Sequence, residues 1–515
     1  MLSPTGATME DHVSPSPSRA RALALVAILA ASALVVVLDL ARQPADPPRN
    51  LSASLGTLDE GLWSHNAVDG ALFGRSRRDD LNPMYVTSAP LLIRASYEVF
   101  GVGIVATRIP SIALGALTVL LAGVLWLRRD PVAAVAGSVL LATTYLFLAY
   151  SRLGLLETPA AGLAIAGVAC TLFALQRANL WIGVAGGALL AAAVTAKVQI
   201  AGAVLGVAAG LALWAILERR PRAGRVLAAA ACGFAVVGAA WIAWVGTHLD
   251  PAARAEWAWH SSGLSLGIGT FSANASRFLG SSDGFGTYAR PLLIAAAIGL
   301  VLQIAAWAIK RERPRPVQFA AAGWAAGALV ALTALSSRPS RYAVLALPGL
   351  ALTSAGGVAA LRALAGRLLR ITVACVALAG VAVAGIPGLH SWFTWSPEWS
   401  VQQTAQLLER DTRPGDVIFG GYAFIPATQA HREVIVFHPP SINAHCPIER
   451  YGADFVLIAR NDATMRNFLL HTYPGLLVRA NLLARPSMLG HPLDFYRIPA
   501  SLAPGRGCAS EPPRA

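Results

Sequence analysis

The sequence predicts an α-helical polytopic membrane protein of about eleven transmembrane helices, with a small C-terminal extracytoplasmic α/β domain. Three observations carry that prediction. Mean hydropathy is +0.56 and only 13% of residues are charged. Apolar runs of roughly 17 to 22 residues, the span of a bilayer core, recur from residue 20 to residue 388. Beyond them, short apolar runs bounded by turn residues replace the long ones.

Taken in order, the first 19 residues are rich in Ser and Pro and carry Glu10 and Asp11. They read as a disordered cytoplasmic tail (1–19), not as the basic start of a secretory signal, and the run 20–40 reads as a retained anchor. Further spans are expected near 105–127, 131–150, 157–175, 180–196, 198–217, 225–246, 290–309, 317–336, 341–360 and 370–388. The stretch 180–217 would be roughly 57 Å long as one helix at 1.5 Å per residue, which favours two spans over one bent span.

Orientation follows from the basic loops. Arg128-Arg129, the run Glu218-Arg219-Arg220-Pro221-Arg222, the run Lys310-Arg311-Glu312-Arg313-Pro314-Arg315 and the stretch 362–370 all fall on one side if the spans number eleven. By the positive-inside rule that side is cytoplasmic. The expected location is the plasma membrane, multi-pass, with the N-terminus cytoplasmic and the C-terminal domain extracytoplasmic. The net charge of +14 therefore calls for no nucleic-acid partner, because topology and anionic lipid account for it. The loops 42–104 and 247–289 lie outside on this reading.

The tail is a different kind of sequence. Gly415-Asp416-Val417-Ile418-Phe419, Glu433-Val434-Ile435-Val436-Phe437 and Ala453-Asp454-Phe455-Val456-Leu457-Ile458 read as strands, and 401–410 as a helix. Residues 389–500 thus form an α/β domain large enough to bury its own core, followed by a flexible tail, 501–515. Cys170, Cys232 and Cys375 fall inside spans and read as small buried apolar residues. Cys446 and Cys508 share the external tail, where a disulfide is permitted. No C-x-x-C or His-Cys ligand spacing is present, so no metal site and no cofactor are expected. His438 and His445 lie near Cys446 without changing that reading.

Chemistry is sought where charge interrupts apolar sequence. Asp59 and Glu60 are adjacent carboxylates in the first external loop, followed by Trp63 and His65. Apolar positions between residues 58 and 73 suggest a helix along the membrane surface, with Trp63 at headgroup depth. Lys occurs only at positions 197 and 310. Lys197, between two apolar runs, reads either as a snorkelling interfacial cation or as a phosphate ligand in a partly dry cavity. Glu157 at a span start either complements the helix dipole, with Arg152 beside it, or serves the site. Arg338 and Arg341 are positive charges on the side that the charge rule leaves poor in them, and guanidinium suits a phosphate oxyanion. Tyr85 and Tyr342 are candidate substrate contacts. The loop 247–289, with Trp257, Trp259, His260 and a Gly-rich stretch, is either a lid or an aromatic interfacial anchor.

The order of these features resembles the lipid-dependent membrane glycosyltransferases of the GT-C fold, and within it the protein O-mannosyltransferase, aminoarabinose transferase (ArnT) and RgtA-like superfamily. The resemblance runs from Asp59-Glu60 through Phe100-Gly101 and Ala106-Thr107-Arg108-Ile109-Pro110-Ser111 to Arg152 and Glu157, Thr195-Ala196-Lys197 and Arg341-Tyr342. It makes 20–388 a GT-C transmembrane domain. Leu62 stands where relatives often carry His or Arg, and Ser88-Ala89 precedes Pro90-Leu91 where relatives often have a charged residue or His before Pro-Pro-Leu. Sugar recognition is therefore not carried over.

What the resemblance implies is an enzyme that moves a hexosyl or pentosyl group from a polyprenyl-phosphate sugar donor to the hydroxyl of an envelope glycan, lipid or protein acceptor, with inversion. Asp59 would be the base, with Glu60 and Glu157 in the catalytic set. Lys197, Arg341, Arg338 and Arg152 would face the donor phosphate, and Trp63, His65, Tyr85 and Tyr342 the substrates. A lipid-carrier flippase or a noncatalytic envelope scaffold are the other classes the composition allows.

Overall fold

The computed structural model describes residues 17–48, 53–74, 87–248, 272, 275, 289–311, 315–334, 340–365, 369–435, 446–505 and 508. Tyr85 and Arg338 lie outside the described residues, as do Trp257, Trp259, His260, His438 and His445.

The membrane unit is built from α1 (Pro17–Ala41), α2 (Ala53–Leu72), α3 (Ser88–Phe100), α4 (Ile104–Leu127), α5 (Pro131–Ala142), α6 (Tyr145–Ser151), α7 (Glu157–Arg177), α8 (Leu180–Ala196), α9 (Ala201–Leu217), α10 (Pro221–His248), α11 (Arg290–Lys310), α12 (Pro316–Ala334), α13 (Leu347–Leu364) and α14 (Leu369–Thr394). Among the described residues nine helices are long and apolar enough to cross a membrane, or ten if α5 and α6 form one bent span. With α8, a shorter apolar helix, every one of the eleven expected spans has a helical counterpart.

Two spans differ from the expectation. The run 131–150 is bent by 64° between α5 and α6. There, Thr143 and Thr144 turn their hydroxyls onto the carbonyls of Val139 and Leu140 at 2.8 and 2.7 Å, a local bond that weakens the helical ladder. α14 packs into the bend, where a Cβ on Gly388 would stand 2.1 Å from the Thr143 carbonyl oxygen. The run 341–360 begins as a 3-10 turn, Ser340–Leu345, and becomes α-helical only at Leu347. Its indole anchor is Trp324, whose Nε1 donates to the Leu345 carbonyl at 2.8 Å.

Small residues let helices meet backbone to backbone, the usual device where lipid removes the hydrophobic drive between helices. On α9 and α12, Gly206 faces Gly323 so closely that a Cβ on either would fall 2.0 or 2.1 Å from the other's carbonyl oxygen. The three membrane cysteines do not follow their expected burial. Cys170 is half-buried, and Cys232 and Cys375 are exposed on the protein surface, where lipid satisfies an apolar thiol as well as a protein core does.

The C-terminal unit begins with α15 (Ser400–Asp411) and continues through β1 (Val417–Phe419), α16 (Phe424–Ala430), β2 (Glu433–Ile435), α17 (Pro447–Tyr451), β3 (Phe455–Ala459), α18 (Ala463–Thr472), β4 (Leu482–Ala484), β5 (Ser487–Met488) and β6 (His491–Arg497). The sheet order is β2-β1-β3-β6-β4, with β5 paired to β6. β2, β1 and β3 run parallel, and β6 is antiparallel to both β3 and β4. The three expected strands are β1, β2 and β3; the antiparallel half was not foreseen. Alternate side chains supply two cores, Ile418, Phe455 and Leu457 on one face and Phe419, Val456 and Ile458 on the other. Cys446 and Cys508 form a disulfide, with Cα atoms 5.4 Å apart.

The two units are joined by polar contacts. Asp46, in the connector after α1, accepts from the backbone N–H groups of Ser400 and Val401 at 2.8 and 3.2 Å and so meets the positive end of α15. Gln429 of α16 accepts from the first N–H of α4, at Ile104. Ile104 itself is buried in the sheet's core.

Candidate active site

α2 carries Asp59, Glu60, Trp63 and His65, and it is held between α3 and α16. Ser64, His65, Ala67, Val68 and Asp69 are buried, so this helix is enclosed by protein where a surface-lying helix was expected. Gly61 makes the approach to α16 possible, because a Cβ there would stand 2.1 Å from the Phe424 Cβ. The next residue along the same turn, Leu62, packs with Trp63 against the core of the C-terminal sheet. His65 lies 3.5 Å from Asp69 and edge-on to the Phe424 ring, which makes it a packing and hydrogen-bonding residue at the junction of the two units.

The adjacent carboxylates have separate fates. Glu60 is fully buried and forms a bidentate pair with Arg108 of α4, at 2.7 and 3.0 Å. It also accepts from the Gly154 N–H at 2.5 Å. Arg108 spends its remaining donors on Gln43 and the Ala45 carbonyl, both at 2.9 Å. A carboxylate paired in this way ties α2 to α4. Asp59, with 23% of its side chain exposed, instead forms an ion pair with Arg341.

Arg341 leads from Asp59 into a buried charge cluster. Its Nε reaches Glu157 Oε1 at 3.2 Å, and Lys197 Nζ reaches the same oxygen at 3.3 Å. Lys197 lies between two aromatic faces, 5.0 Å from the Trp63 ring centre and 4.9 Å from that of Tyr342, a setting that favours an ammonium. Local sequence explains each position. Glu157 opens α7, where its charge meets the positive helix end. Lys197 stands at the break between α8 and the turn Val198–Ile200, in extended conformation. The break is held by Ser88 at the start of α3, which donates to the Ala192 carbonyl at 2.6 Å. Arg341 lies in the 3-10 turn before α13, tied down by the hydrogen bond between Ser340 and Tyr150.

The cluster is balanced in charge but not in hydrogen bonds. Glu157 Oε2 and Arg341 Nη1 are buried and have no hydrogen-bond partner among the described residues. Orphaned groups of this kind in a buried site mark a place for ligand or water. Asp59 and Glu157 both pair with the Arg341 guanidinium, and an arginine stays charged in such a setting.

Arg152 is a correction to the sequence reading. Expected as a phosphate ligand, it is fully buried and donates to the carbonyls of Arg42 and Ala45 at 3.1 Å and to that of Asp46, with its guanidinium 4.5 Å over the Trp395 ring. It fastens the connector after α1, with its Nε buried and without a hydrogen-bond partner among the described residues. Arg108, Gln43 and Asp46 were missed as structural partners. An Arg inside an apolar span is itself a signal, and Arg108 carried it.

The structure is similar to solved GT-C structures over nearly its whole length. The crystal structure of ArnT from Cupriavidus metallidurans bound to undecaprenyl phosphate matches with a TM-score of 0.54 and 14% identity, covering 93% of this chain and 97% of that one. The same enzyme in the apo state gives 0.56 at 14% identity, with the same coverage. The Archaeoglobus fulgidus oligosaccharyltransferase in the apo form gives 0.51 at 13% identity, covering 87% of this chain and 70% of that one. The fold is therefore that of the GT-C membrane proteins. A family model described as dolichyl-phosphate-mannose-protein mannosyltransferase matches residues 84–249, a segment that holds Arg108, Glu157 and Lys197. The chain thus resembles the protein mannosyltransferase and ArnT superfamily. No curated protein sequence matches it.

Proposed function

We propose that this chain is a membrane glycosyltransferase that moves a sugar from a polyprenyl monophosphate to the hydroxyl of an extracytoplasmic acceptor, in one displacement with inversion. The observation that carries the reading is the linked set Asp59, Arg341, Glu157 and Lys197: a partly exposed carboxylate beside two cations on a buried acid. In the reaction, the acceptor oxygen forms a bond to the anomeric carbon and gives its proton to Asp59. The bond from that carbon to the phosphate oxygen breaks, and the lipid phosphate leaves with the electron pair, one negative charge richer. Lys197 and Arg341 stabilise that growing charge. Arg341 Nη1, the orphaned donor, is the atom offered to a phosphate oxygen. Glu157 sets the two cations at one spacing, and Tyr342 and Trp63 wall the ammonium.

Two comparisons support the donor class. The ArnT structure is described with undecaprenyl phosphate, and the matching family model is named for a prenyl-phosphate-linked mannose. Arg128, Arg129, Arg219, Arg220, Lys310, Arg362 and Arg370 stand at or beside helix ends, and α9 and α13 each lead from the cluster to such basic residues. By the positive-inside rule this supports an extracytoplasmic position for the cluster.

The test uses purified protein in detergent, without vesicles, and a panel of polyprenyl-phosphate sugars. Wild type transfers sugar from one of them, which a flippase or scaffold does not. Asp59→Asn lowers turnover by about 10²- to 10⁴-fold, the share of a positioned base, with unchanged expression. Full turnover in that variant would sink the assignment of the base.

A further inference from the structure

A second built cavity stands at the other end of the membrane unit. α13 separates it from Arg341, and 18 residues at 1.5 Å each give a distance of about 27 Å. The cavity has a volume of about 460 Å³ and is lined by Arg129, Arg315, Arg362 and Arg370, with Asp130 as the single carboxylate among the described residues. That carboxylate is already committed. It pairs with Arg362 and accepts from the Val132 and Ala133 N–H groups at the start of α5. Among the described residues, three arginines are left around the space without a lining counter-charge.

The walls make the cavity amphipathic. Leu300, Ile304 and Trp307 of α11 line it and are also among the exposed large apolar residues, so its outer wall is continuous with the lipid-facing surface. At its inner end Trp126 is 2% exposed, and its indole Nε1 has no hydrogen-bond partner among the described residues. Arg362 Nε is likewise buried and unpartnered. Arg129 and Arg315 line the same cavity; an anion between them would relieve their mutual repulsion. A cluster of cations with orphaned donors beside an apolar, lipid-facing wall fits a phosphate that arrives on acyl chains better than one dissolved in water.

We propose that this cavity binds the phosphate headgroup of an anionic membrane phospholipid in the leaflet opposite the charge cluster. Arg129, Arg315 and Arg370 hold the phosphate oxygens, Trp126 donates to one of them, and the acyl chains run along Ile304 and Trp307. The site is independent of the glycosyl-transfer reading, since the length of α13 separates it from Arg341.

The experiment is native mass spectrometry of the full chain in detergent, titrated with phosphatidylglycerol or with phosphatidylcholine, for wild type and for Arg315→Ala/Arg370→Ala. Wild type is expected to retain one more phosphatidylglycerol than the double variant, with an apparent affinity about tenfold or more higher, and to show no such difference for phosphatidylcholine. Equal phosphatidylglycerol retention by the two proteins overturns the site. Displacement of the lipid by millimolar inorganic phosphate or glycerol 3-phosphate overturns the lipid as occupant in favour of a soluble anion. Should the double variant not fold, Arg315→Gln and Arg370→Gln singly give the same reading at lower amplitude, and Arg315→Lys/Arg370→Lys is expected to keep the bound lipid.

Discussion

Lys197 and Arg341 converge on a single oxygen, Glu157 Oε1, at 3.3 and 3.2 Å. Two cations brought together on one buried acid repel each other unless that acid is ionised. The arrangement holds two positive charges at a fixed spacing with one donor atom of Arg341 still unused.

Glu157→Gln should therefore destabilise the protein strongly. Removing the shared counter-charge leaves two buried cations side by side, a change that costs about 3–5 kcal/mol in comparable buried pairs. Thermal unfolding in detergent reads this as a large drop in midpoint. A midpoint equal to that of wild type would show that the cluster is hydrated and does not hold the cations as described.

The neighbouring carboxylates should separate in the same assay. Glu60→Gln strands Arg108 in a fully buried site and should cost about the same 3–5 kcal/mol of stability, read as a large drop in midpoint. Asp59→Asn should leave the midpoint nearly in place, because its carboxylate is partly exposed. The pair Glu60→Met/Arg108→Met should recover part of the loss and not all of it, since Arg108 also holds Gln43 and the Ala45 carbonyl. Equal midpoints for the two single variants would contradict the division of roles.

Gly61→Ala tests how the C-terminal unit seats on α2. Its Cβ would fall 2.1 Å from the Phe424 Cβ and 3.1 Å from the Ile425 backbone nitrogen, and forced overpacking costs about 1–3 kcal/mol. The expected outcome is faster limited proteolysis between the two units together with reduced activity, because Asp59 lies two residues away on the same helix. Unchanged proteolysis and activity would mean that the units yield without disturbing α2.

Asp494 supplies a pH dependence. Burial would raise its pKa, yet hydrogen bonds and charge from Arg460, with Tyr496 and Arg466 also bonded, hold it below the ordinary carboxylate range. A carboxylate depressed in the folded state contributes stability above its unfolded pKa of about 3.9, and that contribution fades as pH falls through the folded value. Its arginine partners are partly exposed, so screening reduces the effect to about 1 kcal/mol. Asp494→Asn should lower the midpoint at pH 7, and its gap to wild type should begin to close near about pH 4 and vanish as pH falls through the folded value. A constant gap across that range would exclude the charge as the cause.

The amino-acid sequence by itself determined the membrane class, the positions of the apolar helices and those of strands β1 to β3. Those are local properties: hydropathy over a bilayer's thickness and short apolar runs between turns survive any change of packing. It also singled out Asp59, Glu157, Lys197 and Arg341, because a charge in apolar sequence is expensive and stands out. Only the tertiary structure decided which charges meet. Asp59 and Glu60 are chain neighbours, yet one pairs with Arg341 and the other with Arg108, since adjacent residues of a helix point about 100° apart. Arg152 looked equivalent to Arg341 in sequence and turned out to hold backbone carbonyls. The antiparallel strands β4 to β6 and the Cys446–Cys508 bond likewise depended on partners distant in the chain, which no local pattern records.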